Sequence, residues 1–320
     1  MTGSTGWDEL AGRRGRSSEL HIVTGAFGFT GKHIARRLLE TGHSVMTLTG
    51  HPGRPDLFGG RIRVAPLRFD RSELVESLRG ASVLYNTYWV RFGYDNVTFE
   101  SAIRNTGILL EACEEAGLRR IVHISITNPS EDSPLPYFRG KAVVERRLRS
   151  SKLSYAILRP TVIFGPEDIL INNIAWFLRR FPVFAVPGSG RYRVQPVFVG
   201  DLAELAVSAG GRAENMILDA AGPETYTFEE LVRLIATKLG RTARLVHLRP
   251  QALLFLLRVV GFLLRDVVLT RDEIQGLMAD LLVSRDPPTA PTRFSEWLEQ
   301  NAQRLGTRYA SELGRHYRGQ

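Results

Sequence analysis

With 320 residues and 43% hydrophobic side chains, the chain is long enough to bury a large core in one or two domains. Its single cysteine, Cys113, excludes a disulfide framework and a multi-cysteine zinc site, which is typical of a reducing compartment, and we expect a cytoplasmic protein. The formal charge of +9 would permit an anionic partner, but the arginines are scattered over the whole length, which favours a solvated surface over nucleic-acid binding.

The sequence predicts neither a signal peptide nor a membrane-spanning helix. Residues 1–18 are polar and basic, and we expect a flexible tail there without the apolar core of a signal peptide. The longest apolar stretch, residues 252–264, has 13 residues and contains Arg258, whereas a spanning helix needs roughly 20.

Up to residue 160, short β-branched runs alternate with longer segments of helical period. The predicted strands are, in chain order, LHIVTG, SVMTLTG, IRVAPL, SVLYN, IVHIS and SYAILRP. The predicted helices between them are KHIARRLLETG, RSELVESLRG, VTFESAIRNTGILLEACEEAG and KAVVERRLRSS. Strict alternation of strand and helix is typical of a parallel sheet covered on both faces. The sequence therefore predicts an α/β protein with a Rossmann-type doubly wound parallel sheet.

After Pro160 the pattern becomes irregular and then mostly helical. The segment YTFEELVRLIATKLG opens with Thr227 three residues before Glu230, which is the spacing of a capping box at a helix N-terminus. We predict a dinucleotide-binding domain over residues 19–164, completed by parts of 190–221. A smaller, mostly helical substrate-side domain is predicted over residues 165–189 and 222–320.

The stretch LHIVTGAFGFTGKHIARRLL places Gly25, Gly28 and Gly31 directly after a predicted strand and at the start of a predicted helix. Glycines at this spacing allow a tight turn, a close approach of the backbone to a pyrophosphate, and tight packing of helix on strand. The helix N-terminus offers free N–H groups to the phosphates, and Lys32 adds a cation. We predict a dinucleotide-binding loop, with a purely structural turn as the alternative.

The end of the second predicted strand differs from a typical NAD site, which carries an Asp or Glu for the ribose 2′-hydroxyl. Here the sequence reads VMTLTGHPGRP, with no acid before Asp56. His51 and Arg54 stand in that place, and an arginine can pair with a 2′-phosphate. NADP is therefore the predicted cofactor, with NAD as the alternative.

Four motifs in the order TGAFGFTG, YFRGK, LRPTVIFGPE and VQPVFVGDLAEL resemble the extended and atypical short-chain dehydrogenase/reductase superfamily over residues 20–239. Within this NAD(P)-dependent epimerase/dehydratase-like group, the chain is most similar to the branch containing NmrA-like proteins and the nucleotide-binding accessory subunit of respiratory complex I. The resemblance implies cofactor contacts from the glycine loop, from the ends of later strands and from the segment beside the nicotinamide. The residues at these positions are Gly25, Phe27, Gly28, Phe29, Thr30, Gly31, Asp70, Asn86, Thr87, Lys141, Pro160 and Val162.

The resemblance also implies that Tyr137 and Lys141 form the superfamily's Tyr-x-x-x-Lys pair. Residues four apart share one face of a helix, and an ammonium beside a tyrosine favours its phenolate, which moves an acid/base of pKa near 10 toward neutral pH. The superfamily usually places a serine upstream to orient the substrate carbonyl, but the stretch HISITNPS puts Ile126 at that step. Ser125 or Thr127 is the expected substitute.

Two functions are open at this point. The first is an NAD(P)-dependent oxidoreductase or epimerase that transfers hydride to or from a carbonyl or carbinol, with Tyr137 as acid/base. The second is a non-catalytic NAD(P)-binding sensor or an accessory subunit of a larger complex, which the missing serine favours. For a small-molecule substrate, phosphorylated or apolar, the candidate polar contacts are Asn172, Asn173, Arg191 and Arg193, with a solvated loop as the alternative.

The apolar segment 249–273 carries Arg249, Arg258 and Arg265. Such a segment is usually core, so we expect domain packing or a homodimer contact. Peripheral contact with an anionic membrane surface and a cover over an apolar substrate are the alternatives. No metal site is predicted, because the seven histidines lack metal-ligand spacing.

Overall fold

The structure, a computed structural model, describes residues 19–316, so the expected tail over residues 1–18 lies outside the described range. The strands are, in chain order, β1 (Leu20–Thr24), β2 (Ser44–Thr49), β3 (Ile62–Pro66), β4 (Ala81–Asn86), β5 (Arg120–Ile124), β6 (Ser154–Pro160), β7 (Val162–Phe164), β8 (Val183–Pro187), β9 (Arg193–Val194), β10 (Pro196–Phe198), β11 (Met216–Ala220), β12 (Tyr226–Thr227) and β13 (Arg244–Leu248). The helices are α1 (Phe29–Glu40), α2 (Arg71–Leu78), α3 (Phe99–Glu115), α4 (Pro136–Arg149), α5 (Leu170–Arg180), α6 (Val199–Gly210), α7 (Phe228–Lys238), α8 (Pro250–Leu264), α9 (Arg271–Met278), α10 (Phe294–Asn301) and α11 (Glu312–His316).

Seven strands form one sheet in the order β11-β6-β5-β4-β1-β2-β3, and every neighbouring pair is parallel. The six strands predicted from alternation are the first six of this sheet in chain order, and the predicted Rossmann-type fold is confirmed. Strand order reverses between β1 and β4, so their carboxyl ends flank the crevice where ligands bind in sheets of this type.

Helices cover both faces of the sheet, as the near-continuous apolar strands require. On one face, α1 packs against α6, and their apolar residues join Val23, Val83 and Val122 in one buried cluster. On the other face, α2, α3 and α4 pack side by side over a cluster that includes Ile22 and Leu84. Side chains alternate between the faces of a strand, which explains why neighbouring residues of β1 belong to different clusters.

A further buried cluster lies beyond the sheet and is built mainly from α5, α7, α10 and the short strands around them. Its largest members include Phe164, Phe294 and Trp297, whose rings contact one another. The capping box predicted for α7 is confirmed, because Thr227 and Glu230 exchange side-chain to backbone bonds at the helix start. The domain boundaries remain a prediction, consistent with this separate cluster.

Helix α8 differs from the expectation of domain packing. Only Leu253 and Gly261 are buried in its 15 residues, and much of its apolar surface faces outward. Among residues 19–316, no helix combines the length and apolar character needed to span a membrane.

Candidate functional site

The turn between β1 and α1 has the backbone shape that the glycine spacing predicts. Gly25 adopts a φ of +68°, and its N–H donates to the carbonyl of Leu48 at 2.8 Å. The N–H of Gly28 donates back to the carbonyl of Gly25, also at 2.8 Å. A Cβ on Gly31 would lie only 2.3 Å from the oxygen of Gly25. Glycine is therefore required at 25 by conformation and at 31 by contact between helix and loop.

Helix α1 begins at Phe29 with Gly28 as its N-cap, and no side chain caps it. The first-turn N–H groups and the positive end of the helix dipole are therefore available to an anion. The first turn contains no acidic residue that would repel one. These features fit the pyrophosphate of a dinucleotide.

The side chains around this loop have separate surroundings. The ring of Phe27 packs 6.3 Å from that of Phe58, and Phe29 points into the neighbouring cleft. Thr30 is half-buried in the first helical turn. Lys32, expected to supply a cation for the phosphates, is buried and forms an ion pair with Glu167. The positive charge at the loop is therefore already balanced by a carboxylate.

The segment after β2 contains the two basic residues that predict NADP. His51 and Arg54 are half-buried, the N–H of Arg54 donates to the carbonyl of His51, and the Arg54 guanidinium bonds to the backbone carbonyl of Arg315. Asp56 is exposed, and its carboxylate accepts the N–H groups of Phe58 and Gly60, which lower its pKa. Asp56 thus closes its own turn, and the end of β2 offers no free carboxylate to a ribose.

The resemblance also implies cofactor contacts at the ends of two further strands, β3 and β4. Asp70 after β3 is exposed and caps α2, with its carboxylate accepting the N–H of Glu73 at 3.0 Å. Asn86 at the end of β4 is buried, and its side-chain oxygen accepts the Thr24 hydroxyl at 3.1 Å. The Thr87 N–H donates to the same hydroxyl at 2.8 Å. This network holds the ends of β1 and β4 together beside the glycine loop, whereas Asp70 has a capping role in the structure.

Tyr137 and Lys141 lie one turn apart on α4, as the spacing predicts. The Lys141 ammonium is buried, donates to the carbonyl of Ile124 at 2.7 Å and lies 4.6 Å from the ring centroid of Trp89. The Tyr137 ring packs edge-on against Trp89 and Phe99. Burial raises the pKa of Tyr137 above its usual value and lowers the pKa of Lys141 to about 7. Both shifts favour the neutral side chains, which is the reverse of a phenolate beside an ammonium.

The two hydroxyls expected to replace the missing serine face other partners. Ser125 donates to Glu145 at 2.5 Å, and that carboxylate is also paired with Arg159. Thr127 donates to Asp219 at 3.1 Å. Ile126 instead packs in one apolar cluster with Tyr137 and lines the same cleft. The structure therefore brings Ile126 to Tyr137 and directs both hydroxyls away, because consecutive residues of an extended chain point to opposite sides.

A cleft of about 680 Å³ opens beside Tyr137. Its lining is mainly apolar and aromatic, and it includes Phe29, Phe92, Phe99, Ile126, Leu135, Phe138 and Val162. Pro160, assigned to the cofactor by resemblance, is buried at the end of β6, where its carbonyl accepts the N–H of Thr127 at 3.0 Å. Such a lining suits an apolar ligand with few polar contacts.

Sequence reasoning missed the charged residues of this cleft. The Arg91 guanidinium bonds to Glu273 and, at 2.7 Å, to Glu312. Burial opposes the charged guanidinium, but the two carboxylates raise the pKa of Arg91 above its usual value. Asp168 is also buried, and burial raises its pKa to about 7. A signal existed only for Glu273, which follows Thr270 at capping-box spacing and caps α9.

The four residues predicted to bind substrate do not line the cleft. The side-chain amides of Asn172 and Asn173 fasten the segment 306–310 by bonds to the backbone of Gly306, Arg308 and Ala310. Arg191 and Arg193 are exposed, and Arg193 lies 3.9 Å from Asp280. Their roles toward a substrate remain a prediction that this placement does not support.

A seven-stranded parallel sheet with a glycine loop after its first strand, at the reversal of strand order, defines a dinucleotide-binding α/β protein. The chain belongs to the NAD dependent epimerase/dehydratase family, whose model matches residues 21–217. The resemblance to the dehydrogenase/reductase superfamily is thereby confirmed.

Curated relatives include subunits of a respiratory complex. NADH dehydrogenase [ubiquinone] 1 alpha subcomplex subunit 9, mitochondrial, from Arabidopsis thaliana is 28% identical over 298 residues, covering 85% of this chain and 74% of that protein. The mouse protein of the same name is 30% identical over 254 residues, covering 72% of this chain and 65% of that protein. The complex I half of the expected branch is therefore represented, while the NmrA-like half stays a prediction.

Solved structures share the fold at low identity. A nucleoside-diphosphate-sugar epimerase from Staphylococcus aureus superposes with a TM-score of 0.68 at 16% identity, covering 87% of this chain and 99% of that one. MoeE5 in complex with UDP-glucose and NAD gives a TM-score of 0.66 at 21% identity, covering 90% and 98%. At these identities the likeness establishes the fold alone.

Proposed function

We propose that this protein binds NAD(P) and serves as a nucleotide-responsive sensor or accessory subunit, without proton transfer by Tyr137. One observation carries the proposal: Ile126 lies beside Tyr137, while the hydroxyls of Ser125 and Thr127 are bonded to Glu145 and Asp219. Neither of these two hydroxyls is thus placed to orient a substrate carbonyl at Tyr137. A carbonyl at Tyr137 would meet the apolar side chain of Ile126 at the position where the superfamily places a serine.

The described residues fit a dinucleotide in a definite way. The loop from Gly25 to Gly31 would receive the pyrophosphate, and the uncapped start of α1 would donate N–H groups to it. The Asn86 and Thr87 segment would line the path toward the cleft. When bound, the nicotinamide supplies hydride chemistry. The chain contributes binding, orientation and a mainly apolar cleft.

NADP is the proposed form of the cofactor. The end of β2 has no free carboxylate, since Asp56 is engaged by its own turn. Arg54 is close by, and its guanidinium would exchange the carbonyl of Arg315 for a 2′-phosphate. We therefore expect tighter binding of NADPH than of NADH, and we expect Arg54→Ala to remove the preference. Equal affinity of the unmodified protein for the two cofactors would contradict this.

The second candidate function is that of an NAD(P)-dependent oxidoreductase or epimerase. It is favoured by Tyr137 and Lys141, which share one face of α4 beside a cleft large enough for a small molecule. The substrate would then be largely apolar, in keeping with the cleft lining. Bound cofactor would also replace some contacts of Lys141 and change its pKa. The two candidates differ in whether the Tyr137 hydroxyl matters for turnover.

The experiment measures cofactor affinity by fluorescence and cofactor oxidation with a panel of apolar aldehydes and ketones. The proposal predicts that Tyr137→Phe leaves both affinity and any background oxidation within about twofold, as does Tyr155→Phe, a matched half-buried tyrosine on β6. A loss of turnover in Tyr137→Phe of about a hundredfold or more, with affinity unchanged, would establish the second candidate instead. Ile126→Ser adds the converse test, since a serine there would create turnover only if the remaining machinery is in place.

The proposed partner is another protein subunit, in line with the printed names of the curated relatives, and the proposed compartment is the cytoplasm. The cysteine content agrees with the latter, because Cys113 is buried with no disulfide partner in the chain. Purification of the intact protein from its own cell extract, followed by size analysis, would test for a larger assembly. A strictly monomeric protein that still responds to NADPH would leave the sensor role and refute the subunit role.

A further inference from the structure

Helix α8 carries the most exposed large apolar side chains among the residues that the structure describes. Phe262 is 83% exposed, Leu263 is 74% exposed and Phe255 is 70% exposed. Leu256 and Val259 are also exposed on the same helix. Scattered exposed apolar residues are ordinary, but five on one helix form a patch that calls for a partner.

The five side chains occupy one side of the helix. At about 100° per residue, they fall within an arc of about 120°, which is the width of an apolar helix face. The opposite side holds Leu253 and Gly261, which are buried against the rest of the protein. Gly261 accepts the N–H of Asp266 at 2.9 Å, so the chain turns back directly after the helix. Helix α8 is thus fixed to the protein by one side and presents an apolar stripe on the other.

Positive charges border this stripe. Segment 249–265 contains Arg249, Arg258 and Arg265 and has no acidic residue. By the same helical spacing, Arg249 and Arg258 lie at opposite edges of the arc, while Arg265 follows at the C-cap. None of the three is ion-paired with an acidic side chain within residues 19–315. An apolar stripe edged by unpaired arginines is complementary to a surface that is apolar inside and anionic at its boundary.

Two other occupants fit less well. A second copy of this chain would bring two rows of arginines together, and the five side chains offer on the order of 500 Å², below the roughly 800 Å² per partner of a stable interface. A spanning arrangement is excluded by length, since 15 residues of helix reach only about 22 Å against a hydrocarbon core of about 30 Å.

We propose that α8 is a peripheral membrane-binding element that lies in the plane of an anionic lipid surface, with Phe255, Phe262 and Leu263 inserted among the lipids and the arginines at the headgroups. The proposal is independent of the cofactor role, because α8 shares no residue with the glycine loop. It replaces the expected domain packing of this segment.

The test is co-sedimentation of the intact protein with vesicles of phosphatidylcholine alone and with vesicles rich in phosphatidylglycerol. The protein is expected to bind the anionic vesicles, and less at high salt because the arginine contribution is screened. Phe262→Ser with Leu263→Ser should lower partitioning at least tenfold. Arg258→Gln should lower it about fivefold, the equivalent of about 1 kcal/mol per arginine at an anionic surface.

Matched controls lie on β3, an edge strand of the sheet, and in the loop before it. Leu57→Ser removes an exposed apolar side chain, and Arg63→Gln removes an exposed arginine on β3, and neither should change partitioning. Melting curves of the α8 variants should match the parent, since the altered side chains are exposed. Absence of binding to anionic vesicles, or binding unchanged by the Phe262 and Leu263 substitutions, would overturn the proposal. Dissociation of a dimer by those substitutions, without vesicle binding, would assign the face to self-association instead.

Discussion

The buried ammonium of Lys141 makes a specific prediction about stability and pH. Burial lowers the pKa of this lysine from 10.5 to about 7 in the folded protein, although Glu145 opposes the shift. Between these values the unfolded chain holds the proton and the folded protein does not. The free energy of unfolding should therefore rise with pH across this interval and become level above it. Below about pH 7, both states are protonated and the full cost of burial is present.

The magnitude follows from the size of the shift. Each pH unit within the interval adds at most about 1.4 kcal/mol, so the whole interval is worth up to about 5 kcal/mol. Lys141→Met removes this dependence. The substitution also leaves the carbonyl of Ile124 without its donor, which costs about 1 to 3 kcal/mol at every pH. The slope against pH therefore isolates the titration of Lys141 from the lost hydrogen bond.

The assay is chemical unfolding of the parent and of Lys141→Met at several pH values between about 7 and 9.5. The difference between their free energies of unfolding should change steadily in favour of the parent as pH rises. Lys152→Met, which removes an exposed lysine, should run parallel to the parent. Parallel curves for Lys141→Met would refute the reasoning, because they would mean that the lysine keeps its ordinary pKa in spite of its burial.

Three other substitutions test separate parts of the structure. Gly31→Ala puts a Cβ 2.3 Å from the Gly25 oxygen, so we expect a loss of about 1 to 3 kcal/mol in stability and at least tenfold weaker NADPH binding, whereas Gly211→Ala should change neither. Arg91→Met removes the cation that pairs with the half-buried Glu273 and the buried Glu312, so thermal unfolding should reveal a loss of up to about 5 kcal/mol, and Arg91→Lys should recover part of it. Because the pKa of Asp168 is raised to about 7, its ionisation should lower the free energy of unfolding as pH rises from about 4 to 7. Asp168→Asn should remove this fall, and an unchanged pH profile in the variant would contradict the prediction.

The parallel Rossmann-type sheet could be predicted because the signals that specify its strands and helices are local, whereas the order of the strands comes from the structure. β-branched runs mark β1 to β6, and glycine or a capping residue marks the neighbouring helix ends. Helix α4 shows the limit of this reading. The sequence pattern predicts that this helix starts at Lys141, whereas in the structure it starts at Pro136, because proline is favoured at the first helical position.

The sequence predicts those parts of the site that depend on local backbone conformation. It does not predict the parts that depend on contacts between distant segments. Gly25 is needed for its positive φ and Gly31 for its close contact with the loop, and the spacing of the glycines in the sequence indicates both. Asn172 is predicted to contact substrate, but its amide bonds to the backbone of residues 306 and 308, more than a hundred positions away. Such a pairing has no local signature, and the same holds for the Arg91 cluster.

The packing of α1 on α6 determines when one face of the sheet can be covered during synthesis of the chain. A nascent chain ending at Pro160 contains six of the seven sheet strands, yet Ile34, Ala35 and Leu38 still lack the helix that covers them. Only when Val199–Gly210 has left the ribosome can that face of the sheet close. The first half of the chain is therefore expected to stay partly folded, with one apolar face of the sheet exposed, until the second half has been synthesised. During this interval the nascent chain needs protection from aggregation.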